Sequence, residues 1–400
     1  MIRQISLPQG FFVASGRAGI KDPAATRDDL ALFLSAVPSA AAGVFTTNRV
    51  CGAPVKVSRG RLPRMTARAV VMNSGNANAC TGEQGIRDAE EIAARVAMLV
   101  GCAAQDVLVA STGVIGRMLP MERILPALDK LYAARSQTDE AVWQAARAIM
   151  TTDTFPKVVQ REITLGDRVI KLLGIAKGAA MIAPHMATML CVIMTDAALT
   201  AGMSYTMLQT AVDRSFNCIS VDGHESTSDS VFLLANGAAE VRLERSDQQA
   251  GFQAVLNDVC EELARAIIRD AEGAHHFIEI RVNGCRTRED AYQLAQAIAN
   301  SPLVKTAICG ADPNWGRIIS AAGYAGVPLS EQNLSLRLNG FLLYDRGTPL
   351  LIDTAQVSRS LREQREVEIE LSLDLGREGI RFWTSDLTKE YVELNADYTT

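Results

Sequence analysis

The sequence predicts an α+β protein with a layered αββα body, and three observations carry that expectation. Helical and extended hydrophobic patterns alternate along the 400 residues, more chain than one hydrophobic core ordinarily supports. The late extended segments, "EVEIELSLDLG" (366–376) above all, alternate apolar and polar residues, as a sheet wet on one face does. By contrast, "TMLCVIMTDA" (188–197) begins with a run that is apolar on both faces, so its strand must be covered on both sides.

In chain order, "ARAVVMN" (67–73) reads as a strand. Ile86, Ala89, Ile92, Val96 and Leu99 then share one face of a helix that Gly101 ends. "TDEAVWQAARAIM" (138–150) is a helix with Thr138 as its N-cap. "RVIKLLGIAKG" (168–178), "TMLCVIMTDA" and "SVFLLANGAA" (230–239) are strands, and "FQAVLNDVCEELARAIIRD" (252–270) is a long amphipathic helix. A strand at 277–284, a helix at 288–301 and strands at 334–340 and 366–376 follow. Gly and Asn gather in loops at 72–82, 110–116, 220–230 and 309–318; polar loops of this kind disproportionately carry function.

Composition narrows the function classes. With 48% hydrophobic and 21% charged residues the chain is globular, not disordered. A net charge of -5 argues against a general binder of nucleic acid or anionic membrane. The local basic cluster Lys56, Arg59, Arg61, Arg64 and Arg68, interleaved with Gly60 and Pro63, reads as a solvated loop. The eight cysteines show no C-x-x-C and no zinc spacing, so they read as reduced packing residues of a cytoplasmic protein. No stretch offers eighteen uninterrupted apolar residues, and the N-terminal segment lacks a secretory pattern. His275–His276 raises the question of a metal. Neighbours on a strand point to opposite faces, and no partner spacing such as H-E-x-x-H accompanies them. Neither a metal nor an organic cofactor is expected.

Three groups of residues invite chemistry. Thr188 would become a nucleophile if its own freed α-amine, titrating near ~8, served as the base. That requires its hydroxyl to attack the carbonyl of Ala187, which the small side chain leaves sterically open. Read alone, Thr188 is equally a strand threonine in a core. In "ASTGVIG", backbone N–H groups at Thr112 and Gly113 can converge on an oxyanion, or the segment is a simple turn. Lys177 and Glu272 can hold the two ends of a zwitterion, or are merely solvated charges.

As an ordered set these segments resemble the ornithine acetyltransferase (glutamate N-acetyltransferase) family of arginine biosynthesis. The resemblance runs through "GVFTTNRVCGAPV", "VMNSGNANACTG", "ASTGVIG", "MTTDTFPK", "GIAKGAAMIAPHMATML", "SFNCISVDGHESTSDS", "DAEGA", "GADPNWGRI" and the terminal "YVELNADYTT". It implies self-cleavage between Ala187 and Thr188 into chains 1–187 and 188–400 that form one compact fold. It also implies a fold similar to self-processing aminopeptidases, with Thr188 as nucleophile and Thr112 with Gly113 as the oxyanion pair. Thr154, Lys177, Thr188, Glu272, Asn395 and Thr400 are the implied substrate contacts. The implied reaction moves acetyl from N-acetylornithine to Thr188 and then to glutamate. The resemblance leaves acetyl-CoA open as a second donor and suggests a heterotetramer of two α and two β chains. The sequence departs from the family pattern at Ala179–Ala180 (usually Ser-Gly), His185 (often Asn), His224–Glu225 (an Asp-Thr pair) and His275–His276 (often Thr-Lys). The rival readings are an N-terminal-nucleophile amidase or aminopeptidase, with water as acceptor, and a non-catalytic relative.

Overall fold

The computed structural model describes residues 5–165, 168–183 and 189–397. Its larger sheet uses β1 (Phe11–Gly16), β2 (Leu30–Phe45), β3 (Arg64–Asn73), β4 (Val107–Ser111), β5 (Lys157–Leu165), β6 (Arg168–Lys177) and β7 (Leu190–Thr195). A two-residue strand, β8 (Ile219–Ser220), belongs elsewhere, and β9 (Ser230–Ala235) completes the set. The helices are α1 (Ala53–Arg59), α2 (Gly82–Val100), α3 (Met121–Ala134), α4 (Asp139–Ala148), α5 (Ala201–Asp213), α6 (Ser246–Arg269), α7 (Arg288–Ala299), α8 (Pro302–Cys309), α9 (Trp315–Gly323), α10 (Thr354–Glu363) and α11 (Lys389–Asp397).

The strand order is β4-β3-β2-β9-β7-β6-β5, with β1 also on β2. Strand β2 joins two halves: its first part pairs with β1 and β3, its second with β9. Between them the register with β3 breaks from Leu34 to Ser39, and Ala36, Val37 and Pro38 are exposed. A proline fits there because the break needs no ladder N–H from it. The halves bury a common core, Phe11, Phe33, Val70 and Met72 from one, Leu173, Val192 and Phe232 from the other. Outside the first half lie α2 and α3, packed on Leu32, Val71 and Val109. Outside the second half lie α5 and α6, on Leu172, Cys191, Ile193 and Leu233. The layers are therefore helix, sheet, sheet, helix.

Strand β7 is buried along its whole length, with β6 antiparallel on one side and β9 parallel on the other. Each fully buried aliphatic side chain contributes roughly 1.5–3 kcal/mol. Packing on both faces and two hydrogen-bonded neighbours thus hold β7 without help from the segment that precedes it.

The second sheet has the order β13-β12-β11-β14-β10-β15-β8. Its further strands are β10 (Phe277–Cys285), β11 (Leu334–Leu338), β12 (Phe341–Asp345), β13 (Thr348–Pro349), β14 (Glu366–Leu373) and β15 (Glu378–Ser385). The expected alternation appears in β14, where Val367, Ile369 and Leu371 are buried between half-exposed neighbours. Helix α7 packs on β10 and β15.

Some local expectations need correction. The basic cluster is not a solvated loop: it spans the end of α1 and the start of β3. Arg61 donates to the Ala104 carbonyl at 2.9 Å, Arg64 pairs with Asp106 at 2.9 Å, and Arg68 donates to the Ser35 carbonyl at 3.0 Å. These half-buried guanidiniums hold backbone carbonyls and a carboxylate, whereas Lys56 and Arg59 stay exposed. Helix α6 begins at Ser246 rather than Phe252, because Gln248 accepts the Arg245 N–H at 3.1 Å and caps a polar first turn. The strand expected to reach 239 ends at Ala235, where Asn236 turns the chain by accepting the Ala238 N–H at 3.0 Å. The cysteines are free, and most are buried, although Cys80 is exposed. Among the described residues no helix is long and apolar enough to cross a membrane.

Candidate active site

Parallel pairing of β3 with β4 sets Asn73 beside Ser111, so the loops following both strands leave from one edge. Ser111 Oγ donates to Asn73 Oδ1 at 2.5 Å, and Asn73 Nδ2 donates to the Asn76 carbonyl at 2.9 Å. Asn76 Nδ2 in turn donates to the carbonyls of Arg117 and Met118, both at 3.2 Å. These buried amides lock the Asn-rich loop against the loop holding Thr112 and Gly113. Gly113 has φ +129, and a Cβ there would lie 2.4 Å from the Gly75 carbonyl carbon, so only glycine fits. The Thr112 N–H is already donated to the Asn73 carbonyl at 3.0 Å. The idea that both backbone N–H groups meet an oxyanion is therefore corrected. Among the described residues no other hydrogen bond takes up the Gly113 N–H or the Thr112 hydroxyl.

Lys177, the last residue of β6, is 1% exposed, not solvated. Its Nζ donates to Thr151 Oγ1 at 2.7 Å and lies 3.7 Å from Asp153. Asp153 also accepts from Lys157 Nζ at 2.7 Å and from the Gly178 N–H at 2.6 Å, and Lys157 reaches Asp270 at 2.6 Å. Burial pushes the Asp153 carboxyl up, but the Lys177 and Lys157 ammoniums and the Gly178 N–H outweigh it and hold it well below its ordinary value. Burial pushes the Lys177 ammonium down, against the pull of Asp153. Asp229 and Glu272 are also close enough to act on that charge. Thr154 gives both its N–H and its hydroxyl to Asp270, so only oxygen lone pairs remain for another partner.

A loop from 220 to 230 grips both ends of the segment that contains Ala187 and Thr188. On one side Asp222 accepts the N–H of Met181 at 2.7 Å and of Ile182 at 3.0 Å. On the other, buried Asp229 accepts the Met189 N–H at 2.9 Å. Its second oxygen, Oδ2, is buried with no hydrogen-bond partner among the described residues. Burial accordingly raises this carboxyl well above its ordinary value, against the Met189 N–H and Lys177. The Asn-rich loop reaches the same region through α1: Ala53 N–H donates to the Asn78 carbonyl at 2.9 Å and Gly52 N–H to the Thr227 carbonyl at 2.8 Å.

Helix α11 completes the arrangement. Tyr391 Oη donates to Asp222 at 3.2 Å, Thr388 Oγ1 to the Gly273 carbonyl at 2.6 Å, and Asn395 Nδ2 to Glu272 Oε2 at 3.1 Å. The Glu272 N–H donates to the Ala179 carbonyl at 3.0 Å, two residues beyond Lys177. The fold thus brings Lys177, Glu272 and Asn395 to the region where β7 begins. Thr112 and Gly113 are tied to it indirectly: Ser74 Oγ donates to the Ala148 carbonyl at 2.8 Å, just before Thr151. Ala187, Thr188, His185 and Thr400 lie outside the described residues. His275 and His276 sit in a loop before β10 rather than on a strand, so strand alternation does not separate them, and both rings lie near Asp386. Sequence reasoning missed Asp153, Asp222 and Asp229. The signal for the last two was two aspartates within a single polar loop.

A family model described as the ArgJ family matches residues 12–400. This chain belongs to the ArgJ family. Its relatives include the arginine biosynthesis bifunctional protein ArgJ of Rhodopirellula baltica, 42% identical over 397 residues, covering 98% of this chain and 96% of the relative. The protein of that name from Symbiobacterium thermophilum is 45% identical over 398 residues, covering 99% and 98%. Among solved structures, the ArgJ protein of Bacillus halodurans is 37% identical, with TM-score 0.49, covering 51% of this chain and 96% of that one. Ornithine acetyltransferase of Mycobacterium tuberculosis, complexed with ornithine, is 39% identical, with TM-score 0.40, covering 45% and 94%. For this ArgJ-family chain the rival of a non-catalytic or merely hydrolytic protein is not favoured.

Proposed function

We propose that Thr188, freed by cleavage of the Ala187–Thr188 bond, is the N-terminal nucleophile that moves acetyl from N-acetylornithine to glutamate. Acetyl transfer in arginine biosynthesis is the activity of this ArgJ-family chain. In the proposed route the Thr188 hydroxyl attacks the acetyl carbonyl while its own α-amine takes the hydroxyl proton. The Gly113 N–H and the Thr112 hydroxyl stabilise the oxyanion. Collapse returns the proton to the departing amine, so ornithine leaves and an acetyl ester remains on Thr188. The amine of glutamate then attacks that ester, the oxyanion forms and collapses again, and the Thr188 hydroxyl is restored.

The observation that supports this most is the pair of carboxylates, Asp222 and Asp229, that hold Met181–Ile182 and Met189 on either side of the cleavage segment. Beside it stand a cation and an anion: Lys177 suits the α-carboxylate, and Glu272 with Asn395 suits the free side-chain ammonium of N-acetylornithine, whose α-nitrogen is acylated. Donor and acceptor share the α-carboxylate and the position of the reacting α-nitrogen, so a single pocket at Lys177 serves both half-reactions. Thr154 and Thr400 are proposed to contact the rest of the substrate. The fragments 1–187 and 188–400 stay together because β6 and β7 are hydrogen-bonded neighbours in one sheet. Two such pairs form the proposed heterotetramer, in the cytoplasm, without a cofactor in the reaction.

Incubation with N-acetylornithine alone is expected to add one acetyl group to the 188–400 fragment, and glutamate is expected to remove it as N-acetylglutamate. Loss of that acetyl group to water at the same rate with and without glutamate would contradict the transferase reading. Replacing N-acetylornithine by acetyl-CoA in the same assay decides whether the thioester is a second donor.

A further inference from the structure

We propose that His275, Cys309 and Asp386 form a binding site for a zinc-class transition-metal ion, placed where the tail helix α11 leaves the second sheet. One ligand atom from each lies within 4.8 Å of the other two. Tetrahedral zinc, with bonds of about 2.0–2.3 Å, needs its ligand atoms roughly 3.3–3.8 Å apart. The remaining closure of about 1 Å falls to His275, whose side chain is 59% exposed and free to turn.

Asp386 is pre-set for the role. Its Oδ1 accepts the N–H groups of His275 and His276, both at 2.9 Å, and its Oδ2 accepts from His276 Nδ1 at 2.7 Å. A carboxylate offers about four lone-pair sites, so one is left for a cation. The carboxylate is fully buried, so a bound ion would replace hydration it has already lost. Glu390 Oε2 stands 3.7 Å from His275 Nε2 but outside the group of three, so water is left as the fourth ligand. A thiolate, an imidazole and a carboxylate together select zinc, cobalt or cadmium over magnesium or calcium. The ligands come from the loop after α6, the end of α8 and the β15–α11 junction, so no short sequence spacing announces them.

A metal here would tie these segments together beside Glu272 and Asn395. That consequence rests on the substrate-site reading above, whereas metal binding itself does not. The test uses full-length protein stripped with EDTA and titrated with cobalt(II). At one equivalent, tetrahedral d–d absorption and a thiolate-to-cobalt charge-transfer band are expected, both abolished by added zinc. Cys309→Ser is expected to lose the charge-transfer band, and His275→Ala to weaken binding by about tenfold or more. Cys80→Ser, which removes an exposed thiol elsewhere, should change nothing. An octahedral aqua-type cobalt spectrum at one equivalent, or a charge-transfer band retained in Cys309→Ser, would overturn the proposal. Neither readout involves acetyl transfer, so this site and the transferase reading can fail separately.

Discussion

Replacing Asp153 by Asn perturbs the buried charge network that carries Lys177. In the wild type, the ammoniums of Lys157 and Lys177 are balanced by the carboxylates of Asp153 and Asp270, all of them at most 2% exposed. The amide that Asp153→Asn introduces keeps the shape and an acceptor for the Gly178 N–H but leaves one positive charge in excess. Removing one partner of a buried pair costs roughly 3–5 kcal/mol, a large part of the ~5–15 kcal/mol that stabilises a typical domain. The expected result is a clear drop in the urea midpoint, followed by far-UV circular dichroism. Adding Lys177→Met in the Asp153→Asn background is expected to recover much of the loss, because the unpaired ammonium is then gone. The pH dependence has a definite sign. Asp153's folded value lies below the ~3.9 of an unfolded chain, so its contribution is complete above pH ~4 and is lost as pH falls through the folded value. The variant should therefore show a shallower acid limb than wild type. Substrate KM should rise for N-acetylornithine and glutamate alike, since Lys177 loses the partner that favours its charged form. A variant within about 1 kcal/mol of wild type, with an unchanged acid limb, would refute the reasoning.

Two further outcomes follow from neighbouring features. Asp229→Asn keeps the acceptor for the Met189 N–H but removes a carboxyl that burial raises well above its unfolded value. The folded wild type binds the proton more tightly, so its stability declines as pH climbs from ~4 toward the folded value. The melting temperature of Asp229→Asn relative to wild type should therefore improve from pH 5 to pH 7, and an opposite trend would remove the buried-acid account. Deleting residues 395–400 is expected to abolish acetyl transfer while shifting stability by less than about 1 kcal/mol, since α11 buries no residue. Transfer that survives the deletion, measured beside the melting curve, would remove Asn395 and Thr400 from the site.

Much of the layered core was legible because its signal is local periodicity. The face Ala89, Ile92 and Val96 and the doubly apolar run at 190–194 each become buried as their pattern requires. Strand β2 escaped because its alanines and serines have weak strand preference and Pro38 interrupts it; the bulge that tolerates the proline is a tertiary feature. In the site, Lys177 and Glu272 could be named from the ordered motifs, but their burial and partners could not. Lys177 is held by Asp153 and Thr151 from a loop that only the folding of β6 brings alongside. The clamp by Asp222 and Asp229 joins residues about 40 positions apart, beyond the reach of any periodic pattern. The sequence pattern places His275 on a strand without partners, yet it stands in a loop, and only the tertiary fold brings Cys309 and Asp386 within reach of it.

The central claim is that Thr188 acts as a freed N-terminus. Intact mass of the purified 43.1 kDa chain, wild type beside Thr188→Ala, tests it most directly. The account expects wild type to give two fragments, 1–187 and 188–400, and Thr188→Ala to stay whole. A wild type that keeps all 400 residues in one uncut, fully active species would contradict it.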